Sequence, residues 1–234
     1  SFLIGKLLLL ANMDDLPAWW LSYMDKCFVG EIDLPSSIQS KGRRVMNVAS
    51  QNRLSLLMNR AKVSKFAVVV LFFSLWLARA TDAEENVVVC SPYARREGPF
   101  LDTVGYCTNM TFFRFPVAEL LVLDAPSACV RSGEIVLNVL EKAHYPYSSI
   151  MRLLNRFDLT KFSFFWVNED SMQDELNGDA QDYLVLLCDG RTLGGKGFVG
   201  GALQNVLIEL ETAFYKNSIS SYNCCQLQEW SVGI

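Results

Sequence analysis

The sequence predicts an α+β fold, a mixed sheet with flanking helices, and three observations predict it. Of the 234 residues, 51% are apolar and 20% charged, the balance of a chain that folds around a core rather than staying disordered. Apolar-periodic segments are interspersed with short continuous apolar runs rich in Val, Phe and Leu, which read as helices and buried strands. Their order lacks strict strand–helix alternation, and the chain has no internal repeat or low-complexity tract.

Residues 1–26 read as helical and aromatic-rich, ending in "LPAWWLSYMDK". The polar segment "GEIDLPSSIQSKGRR" (30–44) has no periodicity and reads as a loop, while "RVMNVA" (44–49) alternates weakly, as a strand does. In "SQNRLSLLMNRAKV" (50–63), Leu54, Leu57, Met58 and Ala61 share one helical face behind Ser50 as N-cap. "SKFAVVVLFFSLWLARA" (64–80) predicts a second helix, apolar nearly all round and therefore buried. "ENVVVCSP" (85–92) predicts a buried strand stopped by Pro92, and "ARREGPFLDTVGYCTNMTFFRF" (94–115) a loop followed by an alternating strand. Helices follow at "GEIVLNVLEKA" (133–143) and "YSSIMRLLNRF" (147–157), separated at Pro146. Strands at "KFSFFWVNE" (161–169) and "DYLVLLCDG" (182–190), a glycine-rich bend and a helix "ALQNVLIELETAFYKN" (202–217) complete the reading.

Composition narrows the function. A net charge of −4 argues against a general nucleic-acid binder, which needs a basic face. Seven cysteines without any CxxC spacing, beside one histidine, make no metal site. Several cysteines lie in apolar runs, where a thiol behaves as a small hydrophobe, and a reducing cytoplasmic setting is the simplest expectation. "FAVVVLFFSLWLA" (66–78) falls short of the roughly 20 residues of a spanning helix, so no membrane span is expected. "SFLIGKLLLLANM" (1–13) lacks the basic leader and cleavage site of a signal peptide. The sequon Asn109-Met110-Thr111 therefore carries no expected glycan. The start at Ser1, inside an apolar run, is read as the beginning of a piece of something longer.

The segment "GKGFVG" (195–200) fits the GxGxxG pattern of dinucleotide-binding turns. A nucleotide unit needs a second parallel strand after the helix, with an acid at its end for the ribose. Glu209 and Glu211 lie within the predicted helix instead, so a mobile glycine turn is the better reading and a dinucleotide enzyme the weakest option. The pairs Asp14/Asp15 and Glu84/Glu85 sit in polar surroundings at element ends, as surface or cap residues do. No GxSxG elbow accompanies His144, and a Cys–His pair assembled in space stays open. His144, the one histidine, precedes Pro146 at a helix C-terminal turn, where an imidazole can donate to exposed carbonyls.

Taken together, residues 18–216 resemble the C-terminal half of a condensation domain of nonribosomal peptide synthetases. "AWWLSYMDKCFVGEIDLPSSIQ" is similar to the family's crossover segment, and the stretch from Arg53 to Pro92 to its helix–helix–strand pattern. "GPFLDTVGYCTNMTFFRF" resembles the G-x-F-V-N-T motif, with Phe100, Asp102 and Thr103 at the Phe, Asn and Thr positions. "EKAHYPYSSIMRLL" resembles H-Q-x-x-P-F through His144, Pro146 and Tyr147, and residues 182–214 resemble the last strands and final helix. Asp102 stands where the family has Asn, exchanging an amide donor for a carboxylate, and Cys90 stands where it has glycine. The resemblance implies one lobe of a chloramphenicol-acetyltransferase-like two-lobed fold, with a tunnel between the lobes for carrier-bound donor and acceptor.

In that family the chemistry belongs to HHxxxDG in the N-terminal lobe. Asp189-Gly190 is the one DG after a strand, but Leu184 and Val185 occupy the histidine positions, and one histidine cannot make a pair. The resemblance therefore implies no catalytic residue in this chain, which alone is expected to be inactive. Residues 1–17 would be the tail of the preceding lobe or crossover helix, and 18–234 the C-terminal lobe. Its partners would be an N-terminal lobe bearing HHxxxDG and peptidyl or acyl carrier proteins. Their phosphopantetheine arm enters as substrate, and no cofactor is bound directly. A non-catalytic carrier-docking or scaffold module is the alternative.

Overall fold

The structure is a computed structural model describing residues 15–25, 39–80, 83–94, 108–154, 162–166 and 184–198, with single positions at 174, 177, 208 and 212. Helix α1 (Leu16–Tyr23) leads to strand β1 (Gln39–Val45) and the helix pair α2 (Val48–Ala61) and α3 (Lys65–Ala80). Strands β2 (Asn86–Ala94) and β3 (Thr108–Pro116) follow, then helices α4 (Val117–Leu121), α5 (Ala125–Lys142) and α6 (Tyr147–Leu154). Strands β4 (Phe162–Trp166), β5 (Leu184–Cys188) and β6 (Thr192–Phe198) end the described elements. The predicted helix at 202–217 lies outside the described residues, except Ile208 and Thr212.

The strands form one mixed sheet in the order β1-β6-β5-β4-β2-β3. β4 runs parallel to β5 and β2, and the remaining pairs are antiparallel. Adjacent strand residues point to opposite faces, so Phe113 and Phe112 report what covers each. Phe66 of α3 lies 5.5 Å from Phe113 and 5.4 Å from Phe164, whereas Phe112 stacks on Tyr147 of α6 at 5.5 Å. Both faces are thus covered, which is why Val87, Val88, Val89 and Cys90 are all buried and read as a continuous apolar run. Helix α3 is buried almost throughout, from Ala67 to Leu77, as its apolar circumference predicts. Among the described residues no single helix is long and apolar enough to cross a membrane, and α2 and α3 bend by 108° where they meet.

Where structure and prediction part, polar and backbone groups decide. β1 occupies the segment read as a loop, and the strand read at 44–49 is only its last residues, followed by a helix cap. Its residues pair with β6 from Gln39↔Phe198 to Val45↔Thr192, so the ladder and not an apolar pattern holds it. The N-cap of α2 is Asn47, whose Oδ1 accepts from the Ser50 N–H at 2.8 Å, while Ser50 is buried inside the first turn. α5 begins well before position 133, because Asp124 Oδ1 accepts from the Ser127 N–H at 2.7 Å and Pro126 fits the first turn. β2 continues past Pro92, which faces Met110 of β3, to Ala94. The glycine-rich bend is strand β6, paired on both sides.

Candidate functional site

His144, Pro146 and Tyr147 occupy one turn, between the end of α5 and the start of α6. His144 is partly exposed, and its Nδ1 lies 3.1 Å from the Glu141 carbonyl, to which it donates when protonated there. This is the contact expected of an imidazole at a helix C-terminus. Pro146 is exposed, and its carbonyl accepts from the Ser149 and Ile150 N–H groups at 2.9 and 3.1 Å, starting α6. Tyr147 turns back against Phe112 of β3, and Tyr145 enters the core.

Asn109, at the start of β3, holds this turn in place. Its Nδ2 donates to the Ala143 and Tyr145 carbonyls, both at 2.9 Å, and its Oδ1 accepts from the Tyr147 N–H at 3.1 Å. An amide carries two N–H donors and one good acceptor, which match the three backbone groups left open where one helix stops and the next begins. Sequence reasoning met Asn109 only as a sequon residue. Its partners lie 34 to 38 residues away, beyond any local pattern. Phe100, Asp102 and Thr103 lie outside the described residues, just before β3.

The other motif candidates resolve into structural parts. Asp189-Gly190 forms the β5–β6 hairpin turn: Asp189 Oδ1 accepts from the Arg191 and Thr192 N–H groups at 2.6 and 2.7 Å, and Gly190 has φ +93°. Residues 195–198 of "GKGFVG" are ladder-paired strand, not a phosphate-binding turn. Cys90, Cys129 and Cys188 are buried, and burial pushes the Cys90 and Cys188 thiols up to about 12. A thiol held that high supplies almost no thiolate near neutral pH, so neither is an activated nucleophile. Glu84 and Glu85 are at the surface, as expected of a solvated pair. Among the described residues no group of three or more His, Cys, Asp or Glu could hold a metal.

No family profile matches this sequence, and no curated protein matches it. Its fold, in contrast, has clear relatives. The condensation domain of the monacolin K polyketide synthase MokA superposes on 94% of this chain with a TM-score of 0.74 at 13% identity. The first condensation domain of the calcium-dependent antibiotic synthetase, in complex with a substrate analogue, covers 95% with a TM-score of 0.74 at 14% identity. The X-domain from teicoplanin biosynthesis covers 95% with a TM-score of 0.74 at 13% identity. The chain spans 60%, 56% and 60% of those three chains. What is shared at such identity is the fold: the chain has the α+β fold of condensation domains over nearly its whole length.

Proposed function

We propose that this chain is the second lobe of a condensation-type acyltransferase acting in nonribosomal peptide synthesis. The observation that carries the reading is a condensation-domain fold along 94% of the chain that accounts for only 60% of a condensation domain. The sequence has one histidine, so the HHxxxDG pair must come from an N-terminal lobe, on the same precursor or a separate chain. That lobe's second histidine assists an acceptor amine, or less often a hydroxyl, as it attacks a carrier-bound thioester. The carbonyl carbon gains the new bond to nitrogen or oxygen, and the phosphopantetheine thiol leaves.

This chain's part is to wall the tunnel, with His144, Pro146 and Tyr147 on the clamped turn and Phe100, Asp102 and Thr103 on the segment leading to β3. Carrier proteins present both substrates, and the phosphopantetheine arm is substrate rather than resident cofactor. The site would work in the cytoplasm, where such carriers are loaded.

The test joins this chain to an HHxxxDG-bearing half and supplies acyl-carrier donor and aminoacyl-carrier acceptor. Condensation product with both halves, and none with either alone, is the expected result. Carrier binding without product would make the chain a carrier-docking or scaffold module instead. In the active pair, His144→Ala should lower the rate per folded molecule by less than about threefold. Loss of a general base would lower it by about a hundredfold or more.

A further inference from the structure

A second polar site lies at the far end of β3. A cleft of about 490 Å³ is lined by Tyr23 of α1, Arg114 of β3, Glu119 of α4, and Arg131, Glu134 and Asn138 of α5. Arg114 lies five steps along the strand from Asn109, about 17 Å at 3.4 Å per residue, so the cleft is apart from the His144 turn.

The two arginines of the cleft differ in kind. Each nitrogen of Arg131 donates to a carboxylate: Nε and Nη2 to Glu119 at 2.6 and 3.4 Å, and Nη1 to Glu134 at 3.1 Å. Arg114 is half-buried and held by neutral acceptors, with Nε donating to Asn86 Oδ1 at 2.9 Å and Nη1 to the Tyr23 carbonyl at 2.8 Å. Its backbone N–H donates to the Tyr23 hydroxyl at 2.7 Å, which fixes the strand under the side chain. Among the described residues no carboxylate pairs with Arg114, and Nη2 has no partner. A half-buried guanidinium, pre-oriented and hydrogen-bonded only to neutral acceptors among the described residues, is a site prepared for an anion.

The rim decides which anion. Glu119 and Glu134 remain partly exposed and oppose a doubly charged group such as phosphate more than a singly charged one. We propose that this cleft binds a single carboxylate, presented by a lone Asp or Glu side chain on a partner protein, with Arg114 as the anchor. The inference stands apart from the acyltransferase reading, because it uses none of that site's residues.

The experiment titrates the full chain, by NMR at low ionic strength, with a capped Gly-Asp-Gly peptide, its Gly-Asn-Gly counterpart and inorganic phosphate. The Asp peptide should saturate the Arg114 and Asn138 signals with a millimolar Kd, the strength of one charge-assisted contact in an open cleft. The Asn peptide and Arg114→Gln should each weaken binding about tenfold or more. Glu134→Gln leaves every Arg114 bond in place, removes a repelling charge, and should tighten the Asp peptide about threefold. The Asp and Asn peptides compared on the unaltered chain keep the test open even where Arg114→Gln fails to fold. Equal binding of Asp and Asn peptides, tighter phosphate binding, or no gain with Glu134→Gln would overturn the proposal.

Discussion

Asn109 commits both amide protons and its carbonyl oxygen to one turn, and this makes a ranking of single residues testable. Asn109→Ala leaves the Ala143 and Tyr145 carbonyls and the Tyr147 N–H without their partner. With a net value of about 0.5–1.5 kcal/mol for each bond, partly recovered by water, the loss should be about 2 kcal/mol. Asn109→Asp should do no better, because a carboxylate cannot donate to two carbonyls. His144→Ala removes an exposed contact to the Glu141 carbonyl and should lose less than either Asn109 variant. Urea unfolding of the three variants checks the order, with hydrogen exchange at the Tyr147 amide speeding up in Asn109→Ala, which removes its acceptor, and not in His144→Ala. A larger loss at His144 than at Asn109 would refute the clamp. The same bonds bear on the sequon, since a glycan on Nδ2 would replace one of two occupied N–H groups, and Thr111 is fully buried.

Helices α2, α3 and α5 meet at a corner where backbone approaches side chain closely. Ser132 Oγ of α5 donates to the Ala67 carbonyl of α3 at 2.7 Å. At the next residue a Cβ on Gly133 would fall 2.6 Å from Val63 Cγ1, nearer than real Cβ contacts come. Two effects of Gly133→Ala oppose each other. Helix propensity favours alanine by up to about 1 kcal/mol, and overpacking against a short, stiff valine costs about 1–3 kcal/mol. Overpacking should win, so Gly133→Ala is expected to lower the unfolding midpoint, while the double variant with Val63→Ala recovers most of the loss. A Gly133→Ala protein more stable than wild type would show that the corner can give way. Elements of this kind were legible in part: Leu54, Leu57 and Ala61 are the buried stripe of α2 that their spacing predicts. The start of α5 is written in "LDAPS", as an Asp cap with Pro in the first turn, but the apolar run beyond it is the stronger local signal.

Across the whole molecule, two buried thiols tie stability to alkaline pH. The unfolded thiols titrate near the ordinary 9.0, and burial pushes Cys90 and Cys188 up to about 12 in the folded chain. Above pH 9 the unfolded state releases protons that the folded state still holds. Their contribution to stability is therefore complete below about pH 9 and is lost as the pH rises towards 12. Raising the pH from 8 to 10 should lower the unfolding free energy by about 2–3 kcal/mol through this pair. The double variant Cys90→Ala, Cys188→Ala should show a shallower fall over the same range; parallel curves for the two proteins would exclude the linkage. The wider architecture divides along the range of the forces involved. Apolar periodicity, caps and the continuous valine run are local, and they determined the α+β class, α2, α3, β2 and the buried character of α3. Composition alone determined that no histidine pair exists in the sequence. Strands β1 and β6, made of polar and glycine residues, exist because each is hydrogen-bonded to a strand far away in sequence. The Asn109 clamp and the open guanidinium of Arg114 were likewise decided only by tertiary structure. An apolar side chain is satisfied by any apolar surface and so advertises its burial locally. A hydrogen-bonding group is satisfied only by a particular partner, and which partner it meets is known once the chain has closed on itself.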